Sequence, residues 1–448
     1  MFQFDRSSHS SSKAIRGTFL DFVNDPFFVA ESDSVRYVPD GLLVLQQGQV
    51  LAFGAYDDLK ADYADLEVTA YPGKLIVPGF IDLHVHYPQT EMIAAYGAQL
   101  MEWLDKYTFP TEAKFKDADY ARKIAAFFLD ELLRNGTTTA LVLATIFPQS
   151  VEVLFEEAQQ RNMRIIAGQV LMSRNAPDFL LNDAETAYWQ TKEQIQTWHG
   201  KGRSLYAITP RFAITSTPEE LAFAGLLKQT FPDVYVHTHL SENPKEIQLT
   251  AELFPNSRDY LNVYEQFGLV SDRSIFAHGI HLDDSAFQRL SQAGAAIAFC
   301  PTSNLFLGSG LFKLGQAKSS EYPVKVGLAT DVGAGTSFSQ LQTMSDAYKV
   351  VQLQGESLSV FKAFYLATLG AAKALSLEDK IGSFDVGKEA DFIVLDLQAT
   401  PLMALRNPVP PAESLDELAE QAFAMMMLGD DRAISATYVA GCLAYCST

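Results

Sequence analysis

The chain has 448 residues, 48% of them hydrophobic, with ordinary counts of glycine (27) and proline (19), so it carries enough apolar material for a large folded core. A formal net charge of −20 excludes a binder of nucleic-acid backbones, which needs a basic face, and disfavours attraction to anionic membranes. Only three cysteines are present, Cys300, Cys442 and Cys446, with no CxxC pair; neither a disulfide framework nor a thiolate metal site is expected, and the composition fits a reducing, cytoplasmic setting.

The N-terminal stretch MFQFDRSSHSSSK has Arg6 and Lys13 but no apolar centre, and reads as a frayed terminus running into the strand AIRGTFLDF rather than as a secretory signal. No apolar run reaches the ~18 residues that span a bilayer. Residues 1–78 read as β structure: GLLVLQQGQVLAFG, LEVTAYPG and KLIVPGF are short apolar or alternating runs separated by glycine turns. From 79 to 375 apolar strands alternate with helical stretches such as DYARKIAAFFLDELLRNG and PEELAFAGLLKQTF. Asn135-Gly136 supplies the left-handed residue that ends the first of these helices.

Eight candidate strands follow one another in this region: FIDLHVH, TTTALVLAT, RIIAGQVLM, LYAITPRFAIT, VYVHTHLSE, SIFAHGIHL, AAIAFCPTSN and KVGLATDVGAG. Eight such units in about 300 residues predict an α/β fold of the (β/α)8 TIM-barrel type. A doubly wound sheet is the weaker alternative, since no GxGxxG follows an early strand. GSGLFKLG (308–315) lacks the GK[ST] ending of a phosphate loop. Residues 376–448 return to β character, with two short strands about Gly387 within 379–398 and a final strand in SATYVAGCLAYC. The two ends are thus expected to form one small composite β domain. The methionine run of EQAFAMMMLGDD (420–431) is expected to pack on the barrel or on a second copy.

In a TIM barrel the C-terminal ends of the strands build the active site, and the polar residues gather there. His84 and His86 are two apart on a strand, which points both side chains to one face, the barrel interior. His239 closes the fifth strand with Glu242 three residues on, His278 closes the sixth, and Asp331 ends the apolar eighth. A carboxylate buried in such a run must be paired or bound to a metal. Imidazole and carboxylate donors without thiolate suit Zn²⁺, with Fe²⁺ or Mn²⁺ as substitutes. His84, His86, His239 and Asp331 would leave one coordination position open to water. His237, on the face of His239, and His281, in the loop after His278, are expected in supporting roles, and His9 and His199 at the surface.

PGFIDLHVH with the spacing of His239, His278 and Asp331 resembles the amidohydrolase superfamily. Within it the chain is similar nearly end to end to the branch that deaminates guanine, through RGTF (16–19), PGFIDLHVHYPQ (78–89), EWLDKYTFPTE (102–112), NGTTTA (135–140), ITPRF (208–212), HLSEN (239–243), AHG (277–279), CPTSN (300–304) and TDVGAG (330–335). The resemblance implies a single zinc held by His84, His86, His239 and Asp331, a proton shuttle at Glu242, and support of the attacking water by His278. It implies a purine held by Gln89, Arg211 and Phe212 beside His86 and His239, hydrolysis of guanine to xanthine and ammonia, and a homodimer. Chemistry agrees: Gln89 has donor and acceptor for a lactam edge, Arg211 donates to a carbonyl, and Phe212 offers a stacking face. The fourth strand, LYAITPRF, lacks the lysine of two-metal relatives, and no PCxxC of the cytidine-type deaminases is present. The competing readings are a related deaminase acting on 8-oxoguanine, a pterin or another nucleobase, and an inactive scaffold; no ligand is missing to favour the scaffold.

Overall fold

In a computed structural model, the described residues are 12–97, 100–407, 412 and 414–447; the N-terminal stretch with Arg6 and His9 lies outside them. Four strands lead the chain: β1 (Lys13–Phe22), β2 (Val35–Gln46), β3 (Gln49–Ala55) and β4 (Val68–Pro78). After Gly79 the barrel begins, with β5 (Phe80–His86), β6 (Thr137–Leu143), β7 (Arg164–Gly168), β8 (Val170–Leu171), β9 (Leu205–Pro210), β10 (Tyr235–Leu240), β11 (Ser274–His278), β12 (Ala296–Phe299) and β13 (Lys325–Leu328). The third expected barrel strand is therefore split in two at Gln169, whose side chain turns to Ile146 and Gln190.

Eight parallel strands run in the order β13-β12-β11-β10-β9-β7-β6-β5, with β8 paired to β9. The ends meet through backbone bonds beyond β13: the Asp331 N–H donates to the His84 carbonyl at 2.9 Å and the His86 N–H to the Val332 carbonyl at 2.8 Å. The result is a nearly closed TIM-type barrel. Alternate strand residues divide between two cores, as a sheet buried on both faces requires. Ile81, Leu141, Ile166, Ala207, Tyr235 and Ile275 form an inner cluster with Leu375, Leu377 and Ile381. Ala140, Val142, Ile165, Ile208, Val236 and Phe276 join the larger cluster that takes in the outer helices.

Helices over Ala118–Arg134 and Pro218–Thr230 stand where the periodicity predicts them. The first ends at Asn135 and Gly136, and Gly136 takes the left-handed conformation (φ +79°). The helix Leu415–Leu428 buries Met425 and Met426, and the part-buried Met427 sulfur accepts from the Ser345 hydroxyl of the helix Gln340–Gln352, which packs this run onto the barrel's own helices.

A second sheet draws on both chain ends, in the order β16-β15-β14-β4-β1-β2-β3, where β14 is Phe392–Leu395, β15 is Ile434–Val439 and β16 is Cys442–Cys446. Two expectations need correction here. The stretch 379–398 holds one strand rather than two, because around Gly387 the backbone only lends bonds to the edge of β3: Gly387 N–H to Val50 carbonyl and Val50 N–H to Lys388 carbonyl, both 2.8 Å. The final strand is a hairpin, turning at Ala440-Gly441, both with positive φ (44° and 70°), the signature of a two-residue turn. Buried Arg164 and part-buried Arg203 tie this sheet to the barrel: Arg203 donates to Glu389 and Asp391, and Arg164 to Glu389.

Candidate active site

β10 shows how the barrel builds the site. Tyr235 belongs to the inner cluster, so His237 and His239, two and four residues on, also face inward above it. β5 needs a further device. Ile81 faces the same cluster, yet His84 and His86, of opposite parity, also converge on the interior; the pairing register with β6 shifts between Asp82 and Val85, which re-phases the strand. Asp82 anchors that irregularity: its carboxylate accepts from the N–H of His84 (3.2 Å), and from the N–H (3.1 Å) and hydroxyl (2.5 Å) of Thr330 across the barrel seam.

Asp331 lies three residues beyond the end of β13 rather than on it, in a left-handed conformation (φ 51°) shared by His278 (73°) and Ser241 (49°). Such backbone strain concentrates where side chains must be aimed. Asp331 Oδ1 stands 3.2 Å from His84 Nε2 and 3.3 Å from His86 Nε2, and those two nitrogens are 3.1 Å apart. The His239 ring meets that of His84 edge-on at 4.7 Å. Donor atoms of His84, His86 and His239 lie within 4.8 Å of one another, as do those of His84, His278 and Asp331. The structure thus brings together all four expected metal ligands, with His278 beside them.

The donor set fits a metal ion. Burial holds the His84 imidazole down at about 4 and the His239 imidazole well below its ordinary value, so both rings are neutral as ligands must be. Although burial works against it, the adjoining His84 and His86 hold the Asp331 carboxyl well below the usual carboxylate range. Outer contacts aim the rings: His239 donates from Nδ1 to the Arg211 carbonyl at 2.6 Å, and His84 Nδ1 is 2.7 Å from His237 Nε2. His281 is tied to the Ser309 carbonyl (2.9 Å). His199 corrects the surface expectation: part-buried, its Nδ1 accepts the Tyr206 N–H at 3.0 Å.

Glu242 follows β10. Burial pushes its carboxyl up to about 7, against the lowering pull of His278. One oxygen accepts from the Ser309 hydroxyl at 3.2 Å and the other lies 3.5 Å from His278 Nε2, while His278 Nδ1 donates to Asn304 at 2.9 Å. Glu246 fixes the loop beneath, accepting from the N–H groups of Glu242 (2.8 Å) and Asn243 (3.0 Å) and from the Tyr260 hydroxyl (2.7 Å).

These groups open on a recess lined also by Gln89, Arg211, Phe212, Leu100, Trp103, Leu104 and Leu307. Sequence reasoning missed Glu112, Asn304, Ser309 and Glu246. Glu112, Asn304 and Ser309 lie in segments already singled out, but only their contacts reveal what they do.

Neutral imidazoles and one carboxylate at the open end of a barrel, facing a recess with both polar and apolar walls, are the arrangement of a metal-dependent hydrolase. The chain belongs to the amidohydrolase family, whose sequence profile matches residues 75–443. It is 54% identical over 443 residues to the guanine deaminase of Escherichia coli (strain K12), covering 98% of this chain and 99% of that one. The solved E. coli guanine deaminase superposes with a TM-score of 0.93, covering 97% of this chain and 100% of that chain. A guanine deaminase from C. acetobutylicum, solved with guanine bound in its active site, is 29% identical with a TM-score of 0.86, over 97% of this chain and 100% of that one. The protein is an enzyme that hydrolyses C–N bonds. No helix among the described residues is long and apolar enough to cross a membrane.

Proposed function

We propose that the chain deaminates guanine hydrolytically to xanthine and ammonia at a single zinc site. The observation that carries this reading is the placement of a four-donor metal cluster, a carboxyl poised near neutrality and a donor–acceptor pocket around one recess, in a chain 54% identical to a guanine deaminase.

His84, His86, His239 and Asp331 would hold the zinc. When bound, the ion supplies a Lewis acid that makes a water molecule acidic enough to attack near neutral pH. Arg211 donates to the purine carbonyl, Gln89 meets the neighbouring ring nitrogen, and Phe212 covers a ring face, with the rings of His86 and His239 bounding the pocket. Asp331, kept ionised, accepts the proton that the water gives up on attacking C2. Glu242 in its acid form protonates N3, and His278, held by Asn304, steadies the tetrahedral centre. Glu242, now a carboxylate, takes the proton of the new C2 hydroxyl and passes it to the amino group; the C2–N bond breaks as C2=O forms, ammonia leaves, and the proton held by Asp331 returns to Glu242.

The test is ammonia release from guanine by the zinc-loaded protein, with xanthine followed by absorbance and adenine, cytosine and 8-oxoguanine alongside. Chelator-sensitive turnover of guanine is expected. Activity on another base with guanine inert would refute the substrate, and turnover that survives complete removal of metal would refute the zinc site.

A further inference from the structure

Glu112 ends the short helix Phe109–Glu112 and is 1% exposed. Its two oxygens accept from Nη1 of Arg211 at 3.0 and 2.7 Å, and Oε1 also accepts from Nε2 of Gln89 at 3.2 Å. Two contacts set the sense of the Gln89 amide: Nε2 faces the Glu112 acceptor, and Oε1 accepts the Gly333 N–H at 3.2 Å.

This matters because a carboxylate only accepts, so the amide edge facing Glu112 must be the NH2. What Gln89 has left for a ligand is the second lone pair of Oε1. Arg211, with Nη1 committed, has only donors left. The pocket therefore presents one donor beside one acceptor, and its complement is a carbonyl next to a ring N–H. Guanine has that pair at C6=O and N1–H. A purine with an amino group at C6 and a bare N1 would place hydrogen against guanidinium and lone pair against Oε1. Sites built on buried polar pairs reject such mismatches strongly.

We infer that Glu112 is a specificity-determining positioning residue, which fixes Arg211 as donor and Gln89 as acceptor so that the pocket selects an oxo-purine lactam. The inference rests on the guanine reading above. Glu112→Gln tests it in the metal-loaded full chain, because a glutamine there removes the charge beside Arg211 and lets the Gln89 amide turn over. With metal content and circular dichroism unchanged, KM for guanine is expected to rise about 10- to 100-fold while kcat stays within about threefold. The preference in kcat/KM for guanine over 2,6-diaminopurine is expected to fall at least about tenfold. Equal losses on both substrates, or an unchanged KM and preference, overturn the inference. Should that variant not fold, Glu112→Asp keeps the charge for Arg211 but is too short for Gln89; a lowered preference supports the inference and a retained one overturns it. A parent chain inert on guanine overturns the functional reading and this inference with it, whereas an active parent matched by its variants overturns only the inference.

Discussion

Replacing Glu242 by glutamine removes one exchangeable proton and leaves shape and burial in place. The carboxyl is pushed by burial from an ordinary 4.5 up to about 7. At pH 7 an acid of ordinary value is protonated in only about 0.3% of molecules, against about half here, so the surroundings raise the acid form roughly 10²-fold. General acid–base assistance as a whole is worth about 10²–10⁴-fold. Glu242→Gln should therefore lower kcat on guanine by at least about 10², with metal content by elemental analysis unchanged, since Glu242 is not among the four proposed ligands. The pH profile supplies the sign. A group that must enter protonated loses activity as pH rises through its folded value, so the parent's kcat should decline above about pH 7 and the variant's residual rate should lack that limb. A variant with near-parental kcat, or a limb that persists without the carboxyl, would refute the role.

Other sites extend the test from chemistry to stability. Glu220 is buried away from the cluster, and burial raises it from 4.5 to about 7 against Ser216, Ser173 and Arg174. Its raised folded value means that the unfolded chain releases the proton first, so the destabilisation is absent below about pH 4.5, grows to about pH 7 and is constant above. Glu220→Gln should gain on the parent by about 3 kcal/mol across that window in urea melts, and a pH-independent difference would sink the argument. At Gly168 an added Cβ would sit 1.8 Å from the Ala207 carbonyl oxygen on the neighbouring β9. Gly168→Ala should cost about 3 kcal/mol or more in the same melts, and a loss under about 1 kcal/mol would show that the strands have room to part.

The barrel was legible in the sequence because strands buried on both faces must be continuous apolar runs, and a histidine or aspartate at the end of such a run stands out. That logic picks out His84, His86, His239, His278 and Asp331 without coordinates. It does not foresee the register shift in β5, since a single strand carries no record of its neighbour's alignment. Nor does it separate one final strand from a hairpin, because SATYVAGCLAYC is apolar on both sides of a two-residue turn.

Glu112, Ser309 and Asp82 mark the limit most clearly. Glu112 meets Arg211 across 99 residues of chain, Ser309 meets Glu242 across 67, and Asp82 meets Thr330 across 248. The sequence by itself determined the strand alternation, the kinds of donor atom and the end of the barrel at which they gather, because these follow from local periodicity and the cost of burying charge. Only the tertiary structure decided which partner each carboxylate has, and hence the sense of the Gln89 amide and the protonation of Glu242. Those depend on distances between segments that are remote in the chain, which no local pattern encodes.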